Sequence, residues 1–580
     1  MKKASLFTLL IAVILLVCLY TFCKYDYAFS EQFSLFVLSK SYFHEIVMVP
    51  GGLLKYIATF FLQFFYYLIV GPLYTTLLCI GIFFAAYNYF LNTCKRNISF
   101  IFAATIAFSC VCLSIDPFYG LEGNLAVLVC FTEAILLRRI TKTALSITAT
   151  IVCSVLTYLL CGPIAILLAL LVVIENINKK TPYKLFYLLP IILIVGLIIY
   201  LQKSGAMGDV RHLALPDCYY HEFIQAPHTI YLPWLLIIAF AVISKLSNIT
   251  PLLFREFGEK IQYAIQGTFC AILFAVFFCF IHQSEIYQAK KLEVMRWHNQ
   301  WGRILLETSS AQPSSNMLWY SNLALAKKGW LGENLFSVPQ YSAQGLITKW
   351  DGSQSQADLF AEIYMTMGDV AMAQKMAFNA SVLNKRFING RLLLLLAKTN
   401  MIYGHYKVAD KYISILEKTL FYSSSASHLR SILTEGVSGK EPDIDALSKT
   451  VKNIKQDFAD TNTDNLEAIA KANPNNRTIL EYYGAKLLLQ GELPAFETFI
   501  RENKHFLLKP KMPKAFQEAL LMVIPEEEWN EFGVEDNCKK EFKQFCEIVE
   551  RYGSNNAANY FSTKMQHTFW YYSLMFSNNK

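Results

Sequence analysis

Three carboxylates follow the first apolar segment of the chain and could serve as a catalytic base. A carboxylate held close to an acceptor hydroxyl can remove its proton as the acceptor attacks. In order of preference, the candidates are Glu31, Glu45 and Asp26. Glu31 comes first because Phe33 and Phe36 follow it closely and could anchor its segment at a membrane surface.

A second polar segment, residues 202–228, carries cations that could bind a substrate phosphate. These candidates are Arg211, Lys203 and His212. Arg211 is preferred, because a guanidinium can bind two phosphate oxygens at once. Asp217, His221 and Glu222 are metal-ligand types, but the spacing of the histidines matches no known metal site. We therefore assign no metal ligands and leave the cofactor unknown, with a divalent metal at the leaving phosphate as one option.

The composition divides the 580-residue chain into two halves of different character. Residues 1–282 contain 18 Lys and Arg and 12 Asp and Glu, whereas residues 283–580 contain 34 and 32. The first half is typical of a membrane domain and the second of a water-soluble domain. Much of the net charge of +8 lies in short loops between apolar segments, which indicates membrane topology rather than nucleic-acid binding.

Basic residues predict how the apolar segments cross the membrane. Five short loops contain 13 Lys and Arg and the loops between them contain five, so we place the first set in the cytoplasm. This arrangement predicts an uncleaved N-terminal anchor, nine spans within residues 1–282 and a C-terminal half outside the cytoplasm. The predicted spans are 4–23, 73–91, 98–115, 123–137, 144–160, 163–175, 185–201, 229–244 and 261–282.

The loop after the first span, which we call the first outer loop, is predicted to contain a helix on the membrane surface. Lys24 is outside and Lys95 is inside, so an odd number of crossings separates them. Residues 73–91 are taken as that crossing, and the aromatic-rich residues 53–67 as an interfacial helix. In the alternative, residues 53–70 cross the membrane and another span is wrongly assigned.

The second half is predicted to be all-α, with a connecting helix and linker at 283–315 and a soluble domain at 316–580. Two copies of one spacing occur in it, offset by 36 residues. The copies are Ala361-x6-Gly368-x4-Ala373 and Ala397-x6-Gly404-x4-Ala409. Small residues at these steps let two helices approach closely, with the glycine at the turn. The pattern resembles the tetratricopeptide repeat. The alternative is an irregular α-helical domain with chance spacing.

The layout of residues 1–290 resembles that of the C-type glycosyltransferases, which use polyprenyl-phosphate sugars. The shared order is a carboxylate loop, an aromatic interfacial helix and a second span. The resemblance implies that a carboxylate of the first outer loop is the base and that the interfacial helix guides the lipid donor. The paired acidic residues common in that family's first loop are absent from this sequence.

The chain is also similar to an uncharacterised bacterial family of multispanning proteins with helical-repeat tails. The segments that carry this similarity are Ser41–Phe43, Pro50–Leu53, Gln63–Tyr67 and Asn322–Gly329. The similarity implies a bacterial, multispanning membrane protein with a periplasmic helical-repeat tail. Together with the charge pattern, it predicts a location in the inner membrane with a cytoplasmic N-terminus. It implies no mechanism.

Two functions remain open, both with the lipid bilayer as a partner. In the first, the protein transfers a sugar from a polyprenyl-phosphate donor to a periplasmic acceptor. In the second, it is a non-catalytic, membrane-anchored scaffold whose helical repeats bind envelope proteins. A transporter is less favoured, because the predicted spans contain few charges and show no inverted repeat.

Overall fold

The computed structural model describes most of the chain and consists of helices joined by loops. The described residues are 2–177, 183–204, 209–221, 224–246, 259–281, 284–309, 313–383, 389–435, 442–453 and 465–578. Within these ranges, the one pairing of extended backbone is an isolated antiparallel bridge between Tyr119 and Tyr220. The predicted all-α fold class is confirmed for this part of the chain.

The chain divides into two compact units. The membrane unit comprises residues 1–287 and 418–420, and the helical unit comprises residues 288–417 and 421–580. The helices of the membrane unit are α1 Lys2–Phe22, α2 Lys24–Ser30, α3 Lys40–Val47, α4 Gly52–Leu62, α5 Val70–Leu91, α6 Arg96–Ser114, α7 Leu121–Arg138, α8 Thr143–Cys161, α9 Ile164–Asn176, α10 Leu189–Lys203, α11 Val210–Ala214, α12 Leu232–Leu246 and α13 Glu259–Ile281.

The remaining helices are shorter and more polar on average. They are α14 Ser284–Trp297, α15 Trp301–Glu307, α16 Ser315–Lys327, α17 Leu331–Asn334, α18 Gln354–Met367, α19 Val370–Leu383, α20 Gly390–Ile402, α21 Tyr406–Leu416, α22 Ser423–Glu435, α23 Pro442–Asn453, α24 Asn465–Ala472, α25 Arg477–Gln490, α26 Leu493–Leu507, α27 Lys514–Val523, α28 Asp536–Tyr552, α29 Ser554–Ala557 and α30 Phe569–Asn578.

Six helices in the described residues are long and apolar enough to cross a bilayer. A seventh crossing is added if the bent pair Phe7–Phe22 and Lys24–Phe33 counts as one span. The six are Val70–Leu91, Arg96–Ser114, Thr143–Cys161, Leu185–Lys203, His228–Lys245 and Ile261–Cys279. These helices are consistent with a membrane protein.

The predicted count of nine spans is therefore not reached, and the reasons are physical. The first span qualifies only together with α2, and the two are bent by 72°. α7 carries Glu122, Glu133 and Arg138 within its 18 residues. α9 has 13 residues, about 20 Å at 1.5 Å per residue, which is shorter than the roughly 30 Å hydrocarbon core.

The segment predicted as an interfacial helix forms α4 and a following 3₁₀ turn, Gln63–Tyr66. α4 has 11 residues, so at about 16 Å it is too short to cross a bilayer. Its Leu54 and Ala58 are buried, and Tyr56 and Phe60 pack against the ring of Phe36. The helix is thus fixed to the rest of the first outer loop by aromatic contacts.

The helical unit contains the helix pairs that the glycine spacing predicts. Gly368 ends α18 with a φ of 83°, and Gly404 lies between α20 and α21 with a φ of 76°. Glycine suits both turns because other residues are strained at positive φ. The four alanines of the pattern are fully buried; they are Ala361, Ala373, Ala397 and Ala409. The tetratricopeptide assignment itself stays a prediction, since irregular α-helical domains also contain such pairs.

Candidate functional site

Two of the three predicted base carboxylates are buried within the membrane unit. Asp26 lies in the first turn of α2 and Glu31 directly follows that helix, and they are 7% and 6% exposed. Both interact with neighbouring groups, and burial together with the Asp26 charge raises the pKa of Tyr287. Glu45, on α3, is exposed. Because a buried carboxylate must be compensated by its surroundings, Asp26 and Glu31 are held in place by the protein, whereas Glu45 faces outward.

The loops that the charge pattern places outside the membrane meet at an aromatic contact. The ring of Phe33, from the first outer loop, lies 4.9 Å from that of Phe118 and 5.8 Å from that of His221. The backbone N–H of His221 donates to the Phe118 carbonyl at 3.0 Å. The segment that follows Glu31 therefore contacts residues 216–221 of the predicted cationic loop.

Residues of the same two loops also contact the break between α8 and α9. Gly51 and Gly162 both have positive φ, and a Cβ on Gly51 would lie 3.2 Å from the Gly162 backbone. The hydroxyl of Tyr219 donates to the Cys161 carbonyl at 2.7 Å and accepts from the Ile164 N–H at 3.3 Å. Glycine is needed here because the two backbones touch. The break between α8 and α9 at Gly162 thus lies beside the first outer loop and beside Tyr219 of the predicted cationic loop.

The three predicted phosphate-binding residues differ in their surroundings. The Arg211 guanidinium donates twice to Asp209, at 3.1 and 3.0 Å, and its side chain is 66% exposed. His212 Nδ1 lies 3.0 Å from the carbonyl oxygen of Asp217. Lys203 is exposed at the end of α10. Arg211 would have to break its hydrogen bonds to Asp209 before its guanidinium could donate to two phosphate oxygens at once.

The described contacts thus join the predicted loops, and the roles of the six predicted residues stay predictions. In the part of the chain that the structure describes, no group of three His, Cys, Asp or Glu residues is placed to hold a metal ion. Glu222 of the same loop lies outside the described residues.

The helical unit contains a cavity of about 870 Å³, which we call the helical-domain cavity. It is lined by alternate helices of the array, α16, α18, α20 and α22, and by parts of α14, α23 and α25. Its charged lining residues are Arg296, Lys327, Asp358, Glu362, Arg391 and Lys398. This volume is within the usual range of ligand sites, roughly 300–1,000 Å³.

Arg296 is the centre of a buried ion cluster at one end of this cavity. Its guanidinium is 2.5 Å from Glu293, 3.2 Å from Asp358 and 2.5 Å from Glu362. Tyr320 donates its hydroxyl to Glu293 at 2.6 Å. Burial opposes the charge of Arg296, but the three carboxylates outweigh it and raise the pKa of Arg296. Two carboxylates of the cavity wall are thereby held by one buried cation.

Asp358 is only partly satisfied by this cluster. Its Oδ1 accepts from Arg296, while its Oδ2 is buried and has no hydrogen-bond partner among the described residues. Burial raises the pKa of Asp358, although Arg296 lowers it in part. Glu362 differs, because Arg296 and Lys327 outweigh its burial and lower its pKa. Since an unsatisfied buried acceptor is costly, Asp358 Oδ2 is a position where a bound donor would be favoured.

α20 contributes basic and apolar side chains to the cavity, whereas α18 contributes two carboxylates. Arg391, Leu394, Leu395 and Lys398 follow one another at helical spacing and all line it. The Arg391 guanidinium lies 3.8 Å from the centre of the Trp297 ring, and Nη1 donates to the Tyr422 hydroxyl at 3.2 Å. This face therefore carries two cations with apolar side chains between them.

Comparison with known protein families gives a match that extends over residues 1–576. The chain belongs to the family of unknown function DUF6057. The curated proteins and the solved structures that were searched contain no significant match to it.

Membership of DUF6057 agrees with the similarity to an uncharacterised family that the sequence indicates. None of these comparisons supports the resemblance to C-type glycosyltransferases. The charged residues of the cavity are not predicted from the sequence, because they are spread between positions 296 and 398. The available signal is that Arg296, Asp358 and Glu362 each lie between two apolar residues.

Proposed function

We propose that this DUF6057 protein is a membrane-anchored binding protein whose helical unit holds an extended polypeptide segment in the helical-domain cavity. The observation that carries this proposal is the cavity of about 870 Å³ on alternate helices of the array. Helical arrays bind partners along such continuous inner surfaces. The proposal is a form of the scaffold function that the sequence left open.

The lining of the cavity suits a polypeptide. Leu392, Leu394 and Leu395 of α20 offer apolar contacts for side chains. Asn476 and Thr478, at the start of α25, offer an amide and a hydroxyl for backbone groups. An extended peptide needs both, because its N–H and C=O groups must stay hydrogen-bonded when they leave water.

The expected partner follows from the predicted topology. The 13-to-5 distribution of basic residues favours a helical unit on the outer side of a bacterial inner membrane. A segment of an envelope protein is the polypeptide that such a unit would encounter. The membrane unit would then keep the binding site close to the bilayer.

Binding of a defined peptide library to full-length protein in lipid nanodiscs tests the proposal. Fluorescent twelve-residue peptides of random sequence should include binders whose anisotropy rises with wild-type protein. Leu395→Trp, which adds bulk inside the cavity, should weaken those binders at least tenfold. Val408→Trp is the matched control, because Val408 is 40% exposed on α21 and does not line the cavity. Equal binding by both variants, or no binders at all, would reject the proposal.

A lipid-linked sugar transferase is the second candidate function, favoured by the contact of Phe33 with His221. A base and a phosphate-binding group acting on one sugar must lie on adjoining loops. The test is transfer from a defined polyprenyl-phosphate hexose by full-length protein. Glu31→Gln should abolish the transfer if Glu31 is the base, and Glu45→Gln should do so if Glu45 is. Full activity in both variants would exclude these two carboxylates.

A further inference from the structure

Two helices that line the helical-domain cavity differ in how far their charges are compensated. On α18, Asp358 and Glu362 are bound by Arg296, and Lys327 lies 3.4 Å from Glu362. With Glu293, this cluster has three carboxylates and two cations, a formal charge of −1. On α20, Arg391 also acts electrostatically on Asp358, whereas Lys398 is half-buried and forms no hydrogen bond or ion pair within the described ranges. These two cations bring the formal charge to +1, so the excess of positive charge in the cavity lies on α20.

The positions of Arg391 and Lys398 on α20 set the distance between two positive charges in the cavity. Arg391 and Lys398 are seven residues apart, about 10 Å along the axis at 1.5 Å per residue. Leu394 and Leu395 lie between them on the same face. The stack on Trp297 fixes the Arg391 guanidinium and so orients its charge before any ligand binds. An anionic ligand that matches this face needs two negative groups about 10 Å apart with an apolar part between them.

We infer that the cavity's occupant is an acidic polypeptide segment with one carboxylate at Lys398 and a second near Arg391. This inference rests on the proposed function and names the chemistry of its ligand. An extended polyproline II segment advances about 3.1 Å per residue and presents every third side chain on one face, so carboxylates three residues apart cover the distance on the side that faces α20. The intervening side chains contact Leu394 and Leu395, and Asp358 Oδ2 accepts an N–H of the occupant.

A polyphosphate or an anionic glycan would also be attracted by Lys398 and Arg391. Neither would use the leucines between them, and both would place further negative charge near Asp358 and Glu362. The peptide is favoured for this reason, because it supplies N–H donors, apolar side chains and spaced carboxylates together. Soluble polyphosphate is included in the experiment as a competitor, to distinguish recognition of a peptide from attraction of any polyanion.

The experiment compares two fluorescent twelve-residue peptides on full-length protein in neutral phosphatidylcholine nanodiscs. One carries two Glu three positions apart around a leucine, and the other carries Gln at the same positions. Wild-type protein should bind the Glu peptide about tenfold more tightly. Lys398→Gln should remove this preference and leave the Gln peptide unaffected, and Lys398→Glu should reverse it. The control is Lys411→Glu, an equal change of charge on the exposed part of α21, which should change neither affinity.

The outcomes separate the inference from the proposed function. Equal affinity of wild-type protein for the two peptides, with both lost in Leu395→Trp, would overturn the acidic ligand and retain the polypeptide site. Binding of neither peptide, or binding unaffected by Leu395→Trp, would overturn both. Displacement of the Glu peptide by polyphosphate at equal charge concentration would show that charge alone is recognised, and would also overturn the inference.

Discussion

The guanidinium of Arg391 stacks on the indole ring of Trp297, with the guanidinium carbon 3.8 Å from the ring centre. The two residues belong to α20 and α14, so the stack joins two walls of one cavity. A partly desolvated cation–π contact of this kind stabilises by roughly 0.5–2 kcal/mol. It also restricts a side chain that would otherwise have many rotamers.

Arg391→Lys should therefore weaken the acidic peptide even though the charge is kept. A lysine ammonium is a point charge that cannot form the same planar stack. We expect affinity for the Glu peptide to fall by about threefold to tenfold, measured by anisotropy in nanodiscs. Arg501→Lys is the control, because Arg501 lies 5.2 Å from the Phe532 ring outside the cavity and should leave affinity unchanged. An unchanged affinity in Arg391→Lys would show that the stack does not orient the ligand site.

Arg296→Met should destabilise the helical unit strongly. The substitution leaves Glu293, Asp358 and Glu362 buried or half-buried without their shared cation. Breaking a buried ion pair by removing one partner costs roughly 3–5 kcal/mol. The measurement is urea unfolding of full-length protein, followed by the fluorescence of a label placed in the helical unit. Arg501→Met, which breaks only exposed pairs, should cost less than about 1 kcal/mol.

The buried carboxyl of Glu518 should make the stability of the helical unit depend on pH. Burial raises its pKa to about 7, although the Phe569 N–H, at 2.7 Å, and Lys514 partly favour the charged form. Because the folded pKa exceeds the ordinary value of 4.5, this group stabilises the fold below about pH 4.5, and the contribution is lost as pH rises through 7. The effect is on the order of 3 kcal/mol.

Glu518→Gln should raise the Tm at pH 8 relative to wild type and flatten its dependence between pH 5 and pH 8. Differential scanning fluorimetry of full-length protein measures this. Glu547→Gln, on the exposed face of α28, is the matched control and should change neither quantity. A wild-type Tm that does not fall between these pH values would contradict the assignment to Glu518.

The predicted topology can be tested with reporter fusions in a bacterial host. Fusions after Lys95 and Arg139 should report a cytoplasmic location, and fusions after residues 210 and 400 an extracytoplasmic one. The physical reason is the retention of Lys and Arg on the cytoplasmic side. A cytoplasmic signal after residue 400 would remove envelope proteins from the set of partners and would require a different source of the peptide.

Local patterns predicted much of the fold because they depend on neighbouring residues. Gly368 and Gly404 mark turns since the backbone there needs positive φ. The break between α8 and α9 coincides with Gly162, which lies between the predicted spans 144–160 and 163–175. The count of spans was less predictable, because α7 is apolar in appearance yet carries three charges.

The sites were harder to predict because they depend on tertiary packing. Burial of Glu31 arises from tertiary contacts that no sequence pattern encodes, whereas Arg211 pairs with Asp209 only two residues away. The helical-domain cavity combines Arg296, Asp358 and Lys398, which are separated by up to a hundred residues and become neighbours only through helix stacking. The available indication of such a site is a charged residue between two apolar neighbours, as at Arg296, Asp358 and Glu362.

Site-specific photocrosslinking tests the binding site most directly. A benzoylphenylalanine placed at His428, an exposed residue of α22 that lines the cavity, in full-length protein in nanodiscs would be irradiated with the Glu peptide, and the adduct mapped by mass spectrometry. We predict a crosslink from residue 428 to the peptide, lost on adding Lys398→Glu and retained with Lys411→Glu. A crosslink of equal yield at Val408, or none at 428 under saturating peptide, would contradict binding in the helical-domain cavity.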